Sequence, residues 1–270
     1  MLRFFVVLFL FVISGNLLAQ NVGHKGDTLL NYKDINGLKQ GHWEKKYSNG
    51  EVKYKAYFVN DKAVGDLKRY DSYGNLMAHL VYDNKGEYAI AKFYHRSGKV
   101  AGEGKYFGKI RDSIWNYYDD KGTHYLQESF KIGVKHGKFL QITAEGVIIE
   151  ETNWVDGVKH GSWIKRYVEG PKMWEATYVN GKIEGMTKTY YKSGGLHKVG
   201  KFVNDLMHGA WKKYSESGNL KKIYVYKNGH CPEAEEEQNK LLEELEQNKD
   251  KYTGPRNGND LDWLKGTGGY

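Results

Sequence analysis

Asp156-Gly157-Val158-Lys159-His160-Gly161-Ser162-Trp163 and Asn204-Asp205-Leu206-Met207-His208-Gly209-Ala210-Trp211 carry one pattern. Each sets down a turn pair, a glycine four residues later, and a tryptophan two residues beyond that. Working outward from Gly161 and Gly209 in steps of 24 gives Gly41, Gly65, Ala89, Ser113, Gly137, Gly161, Gly185 and Gly209. Nine residues past each of these anchors stands another glycine: Gly50, Gly74, Gly98, Gly122, Gly146, Gly170, Gly194 and Gly218. Seventeen past each stands an aromatic ring: Phe58, Tyr82, Tyr106, Phe130, Trp154, Tyr178, Phe202 and Tyr226. A register kept from Asn36 to His230 without insertion is a repeat architecture of eight 24-residue copies.

The unit reads as strand, turn, strand, turn. Aromatic and β-branched residues crowd the runs beside the second glycine, which suits strands. Ser48-Asn49-Gly50 and Glu216-Ser217-Gly218 supply the residue at positive φ that a tight turn needs. Asp156-Gly157, Asn180-Gly181 and Asn228-Gly229 mark the second turn. Helix is excluded: two glycines per copy, at about 1 kcal/mol each in a helix interior, and a turn every dozen residues leave no room for one. The expectation is an all-β, elongated antiparallel meander of sixteen short strands. In that register the anchor lies opposite the aromatic seventeen residues on. The same ring then meets the next anchor across the second turn, so a ring covers glycine backbone from copy to copy. Trp43, Trp115, Trp163 and Trp211, with Leu67 and Phe139 in their place in two copies, fall on that face. Copy three, with Ala89 and Ala91, and copy four, with Ser113, are where a bend or weak point is expected.

The pattern resembles MORN repeats, and more closely the bacterial MORN-variant repeat found in proteins often labelled antitoxin-like. The resemblance rests on Tyr178 to Lys182, Gly185, Tyr190-Tyr191, Gly194 and the run Asn204 to Tyr214. It implies an array of β-hairpins serving as a scaffold with lipid or protein partners. It brings no shared catalytic residues.

The remaining segments differ in composition. Residues 1–19, with Arg3 ahead of the apolar run Phe4 to Ile13, read as a secretory signal peptide cut after Ala19. The run is short for a membrane span, which needs roughly 20 residues. An uncleaved anchor is the alternative, and no lipoprotein cysteine is present. The expected location is therefore periplasmic or extracellular. Residues 20–35 form a polar lead-in, with room for an edge strand around Leu29 to Ile35. Residues 231–252 are a charged helix with an apolar stripe at Leu241, Leu242 and Leu245, which caps the array or stands in solvent. Residues 253–270 are a glycine-rich tail with one sticky point, Asp262-Trp263-Leu264.

The chain of 270 residues has a net charge of +8, 33 glycines and three prolines. From Cys231 onward there are ten acidic and five basic residues, so the charge there is −5. The body before it is about +12 once Arg3 leaves with the signal. Basic residues recur three and four places after the anchor: Lys45, Lys68, Arg69, Lys92, Lys165, Lys188, Lys212 and Lys213. They form a candidate stripe for an anion or a partner, or else a solvated face. Successive members lie about 10 Å apart, near one Debye length, so the stripe acts softly.

Catalytic chemistry is not legible. His136, His160 and His208 share a position, but adjacent copies place them roughly 10 Å apart, too far for one zinc without a third ligand. They read as turn histidines, like His42, His95 and His230. Cys231 is the only thiol. It reads as free or covered by the helix, with an interchain disulfide as the alternative in an oxidising compartment. Glu150-Glu151 read as surface residues. No phosphate loop or nucleophile motif is present. The reading is thus a non-enzyme without metal or cofactor. Its expected partner is an envelope protein or an anionic surface. A glycan-binding module is the alternative, since rings also stack on sugars. An antitoxin-like role would rest on the family label alone. Nucleic acid is not expected of an exported chain, although interleaved rings and lysines suit it.

Overall fold

In the computed structural model the described residues are 29–248. The signal peptide, most of the lead-in and the tail with Asp262-Trp263-Leu264 lie outside them. Copies one to four comprise β1 (Gly41–Lys46), β2 (Val52–Val59), β3 (Lys62–Tyr70), β4 (Leu76–Tyr82), β5 (Tyr88–Tyr94), β6 (Val100–Phe107), β7 (Ile110–Tyr118) and β8 (His124–Lys131). Copies five and six comprise β9 (Val134–Lys135), β10 (Gly137–Ile142), β11 (Ile148–Val155), β12 (Val158–Arg166) and β13 (Lys172–Val179). Copies seven and eight comprise β14 (Lys182–Ile183), β15 (Gly185–Tyr190), β16 (Leu196–Val203), β17 (Leu206–Tyr214) and β18 (Leu220–Tyr226), and α1 (Pro232–Gln247) follows. All pair antiparallel in one open meander. β9 with β10, and β14 with β15, are single runs interrupted at His136 and Glu184. Counted so, the eighteen strands are the sixteen expected.

Within every copy the anchor pairs with the aromatic seventeen residues on, from Gly41↔Phe58 to Gly209↔Tyr226. Between copies the expected register is corrected. Six of the seven junctions carry a bulge of two extra residues on the incoming strand. At β2–β3, for example, Tyr57↔Val64 is followed at once by Ala56↔Leu67, leaving Gly65 and Asp66 unpaired. The anchor sits in that bulge at left-handed φ, +63° for Gly65 and +89° for Gly161. The incoming strand starts at a two-residue turn such as Asn60-Asp61, both at positive φ. Only β4–β5 follows the expected pairing, with Tyr82↔Ala89 in an unbroken register.

The ring-over-glycine idea is corrected with it. A Cβ on Gly41, Gly65, Gly185 or Gly209 would meet nothing within 4 Å, so no ring seats there. The most closely covered glycines are Gly104 and Gly200, with Gly102 under the Tyr117 ring at 3.3 Å. A Cβ on Gly104 would fall 2.4 Å from the Trp115 ring, and on Gly200 2.2 Å from the Trp211 ring. The tryptophan column does the covering, while the anchor glycines serve backbone conformation. Copy three is no weak point in packing: Ala89 and Ala91 are buried, and Ala91 joins Trp115 and Phe130 in one of the two apolar clusters.

Adjacent copies are also stitched along their first turns. Tyr47, Tyr167 and Tyr191 each donate a phenolic hydrogen to a backbone carbonyl of the next copy, at Tyr70, Tyr190 and Tyr214, over 2.7–2.9 Å. His95 Nε2 makes the same reach to the Tyr118 carbonyl at 2.8 Å. The described part of the lead-in, from Leu29, forms no full strand. Lys33 bridges Lys39, and the Asn31 N–H reaches the His42 carbonyl at 2.9 Å, which covers part of the β1 edge.

Candidate binding surface

Cross-strand partners share a face, and residues two apart on a strand share it too. One face therefore carries the tryptophan column and the aromatic column together. Their rings meet edge to face, as Trp43 on Phe58 at 6.0 Å, Tyr106 on Trp115 at 4.9 Å and Phe202 on Trp211 at 5.3 Å. The other face is exposed, with Ile90, Ile114 and Met186 open to solvent.

The single basic stripe is corrected by the same alternation. Lys45, Arg69, Lys165 and Lys213 lie four places past the anchor, on the ring face. Lys68, Lys92, Lys188 and Lys212 lie three places past it, on the opposite face. The stripe is two rows, back to back. Lys92 is paired with Glu103 at 3.4 Å. A second basic column was missed in the sequence. Lys39, Arg111, Lys135 and Lys159, each two residues before its anchor, lay their cations over Phe58, Phe130, Trp154 and Tyr178 at 4.2–4.9 Å. Their common position was the signal. Such contacts contribute about 0.5–1 kcal/mol each where exposed.

Around the ring face the histidines are tied up locally. His136 Nδ1 lies 3.3 Å from Asp156, and His95 Nδ1 2.9 Å from Asp120. Burial, aided by Lys198 and Lys213, pulls the His197 imidazole down to about 4. Tyr118 and Tyr190 are pushed up to about 12, by burial first and then by the carboxylates of Glu103 and Glu175 that accept their hydrogens.

One row of the ring face is distinctive over copies six to eight. Lys165, Trp174, Thr189, Lys198, Lys213 and Lys222 stand opposite one another on consecutive strands. α1 caps its end. Cys231 is buried with Phe202, Trp211 and Tyr224, and Ala234 packs on the same cluster. Lys222 Nζ donates to Glu233 at 2.8 Å and to Glu237, and the Tyr224 hydroxyl donates to Glu237 at 2.5 Å. These hydrogen bonds, Glu233 first, raise the Lys222 ammonium above its ordinary range. Lys198, its equivalent one copy earlier, is shifted the other way. Burial, then neighbouring Lys213, pulls it down. Among the described residues neither Lys198 nor Lys213 has a carboxylate in salt-bridge reach.

Residues 39–60 and 207–228 match the family described as MORN repeat variant. The two matches start seven 24-residue periods apart, in the register read from the glycines. The chain carries MORN-variant repeats. The six copies between them share the anchor-to-aromatic pairing of the matched ends, so the array is a repeat scaffold, and MORN repeats indicate a scaffold or binding module. No curated protein matches the chain. Among solved structures, an S. aureus TarM mutant in complex with fondaparinux, alpha-GlcNAc-glycerol and UDP is similar at a TM-score of 0.28 and 10% identity, over 45% of this chain. The match spans 21% of that chain, about a fifth of its length. The TCP10 domain of Danio rerio CPAP, in complex with a peptide of Danio rerio STIL, is similar at 0.14 and 12%, over 69% of this chain and 100% of that one. At these scores neither likeness bears on function.

Proposed function

We propose that the protein is an exported, non-enzymatic scaffold that binds an envelope protein or an anionic surface through its ring face. The observation that carries this reading is the row from Lys165 to Lys222, whose lysines outnumber the carboxylates that meet them. A broad array presents such a row to a large partner rather than to a small substrate. Export follows from the reading of residues 1–19. A glycan is the second reading, favoured by Trp163 beside the row and Trp174 within it, half-buried rings 5.6 Å apart. The test is recovery of partners from the native cell envelope on the tagged protein, at low and high salt. One protein recovered in fixed proportion, and lost at high salt, supports the scaffold. Polysaccharide retained at both salts, without protein, overturns it in favour of the glycan.

A further inference from the structure

α1 shows what the end of the basic row accepts. Lys222 sits thirteen residues past its anchor and is clamped by two glutamates of a helix. Lys198 holds the same place in copy seven and has no such clamp among the described residues. Its direct neighbours sharpen the contrast. Lys213 stands opposite it on β17, a like-charge pair that destabilises unless an anion joins it. Thr189 stands opposite it on β15. The Thr189 hydroxyl, and that of Thr187 two residues before it, are buried and have no hydrogen-bond partner. Both side chains are more than nine-tenths buried, at 8% and 0% exposure. A buried hydroxyl without a partner weakens the fold unless an acceptor reaches it. Copy seven thus holds two donors and two cations on one face, and among the described residues no carboxylate comes within salt-bridge distance of either cation, Glu237 acting on both only from farther off.

The dimensions fit a second helix. One copy is two strands wide, about 10 Å. Packed helices lie 8–10 Å apart. The first turns of α1 lie against copy eight through Ala234, Glu233 and Glu237, and a helix end set one copy over meets copy seven. Trp174 is the next residue in the row and offers such a helix an apolar edge.

We infer that the ring face of copy seven, floored by Thr187, Thr189, Lys198 and Lys213 and flanked by α1 and Trp174, is a docking site for a glutamate- or aspartate-rich helical segment of a partner protein. The carboxylates of that segment take the place at Lys198 that Glu233 and Glu237 take at Lys222. Thr189, directly opposite Lys198, offers its hydroxyl to the same carboxylates once the Lys198 side chain turns toward them. This inference rests on the scaffold reading and names the chemistry of its partner.

The test uses the whole chain and a labelled peptide with the sequence of residues 232–247, PEAEEEQNKLLEELEQ. Fluorescence anisotropy at low salt should show binding. Lys198→Glu should weaken it at least tenfold, and Thr189→Val about threefold. Lys68→Glu, on the opposite face, should leave it unchanged. A peptide with glutamine at each glutamate should not bind. Lys198→Met serves as the second variant, removing the charge while keeping the stem, and should weaken binding at least fivefold with the circular dichroism unchanged. Absence of peptide binding overturns the inference, as does equal loss in Lys198→Glu and Lys68→Glu. So does Lys198-dependent binding of phosphatidylglycerol vesicles without binding of the peptide. Envelope recovery with Lys198→Met separates the two readings: a protein partner still retained sinks the copy-seven site while the scaffold stands.

Discussion

The junction between copies two and three differs from the other six, although the aromatic and the anchor are seven residues apart at all of them. At six junctions a two-residue turn is followed by a bulge that starts at or beside the anchor, as with Gly65 and Asp66 after Asn60-Asp61. At the seventh the strand pairs straight through from Tyr82↔Ala89, and the spare residues enlarge the turn. There the Asp83 carboxylate accepts from the Glu87 N–H at 2.8 Å, and the Asp83 carbonyl from the Gly86 N–H at 3.1 Å. The anchor residue tracks the choice. Glycine, or Ser113 at φ +60°, takes the left-handed bulge; Ala89 does not. One period thus has two solutions, separated by the cost of a Cβ at positive φ.

The largest effect should come where a bulge brings a ring onto backbone. Gly104→Val drives a Cβ into the Trp115 ring at the junction of copies three and four. It should cost about 3 kcal/mol by urea unfolding, because the ring is buried and cannot swing away. A loss under 1 kcal/mol would mean that the column does not hold the copies together. Gly161→Val should cost about 2 kcal/mol through its φ of +89°, since its Cβ meets only Asn153 at 3.9 Å. The opposite sign is expected at Ser113. Ser113→Gly relieves a left-handed residue and should stabilise by about 1 kcal/mol. A destabilised Ser113→Gly would show that the serine hydroxyl, 3.1 Å from Asp112, matters more than the backbone.

Much of this was legible in the sequence. Fixed spacing gave the strand count, the turns and the pairing within each copy, because those follow from local residue types. The bulges were not legible. A glycine that permits positive φ and a glycine that seats a ring look alike in a sequence. The anchors are of the first kind, Gly104 and Gly200 of the second. The basic stripe failed for a related reason: positions three and four past the anchor are neighbours in sequence but point to opposite faces. Lys198 drew no notice at all. Its setting depends on Thr189 and Lys213, which reach it only through the register across junctions.

The smallest effect tests the comparison most directly. In Ala89→Gly the Cβ that disfavours the bulge is gone, so both solutions become open to the junction of copies two and three. The loss of stability should be about 0.5–1 kcal/mol, from chain entropy and a buried methyl group. The register should nevertheless stay straight, because Asp83 ties the enlarged turn independently of residue 89. Hydrogen exchange can tell the outcomes apart, since an amide locked in a straight ladder exchanges more slowly than one in an open bulge. Protection retained around residues 82 and 89 means that the turn holds the register and the alanine follows it. Protection lost there, with the rest of the array unchanged, means that the single methyl group of Ala89 selects the straight junction.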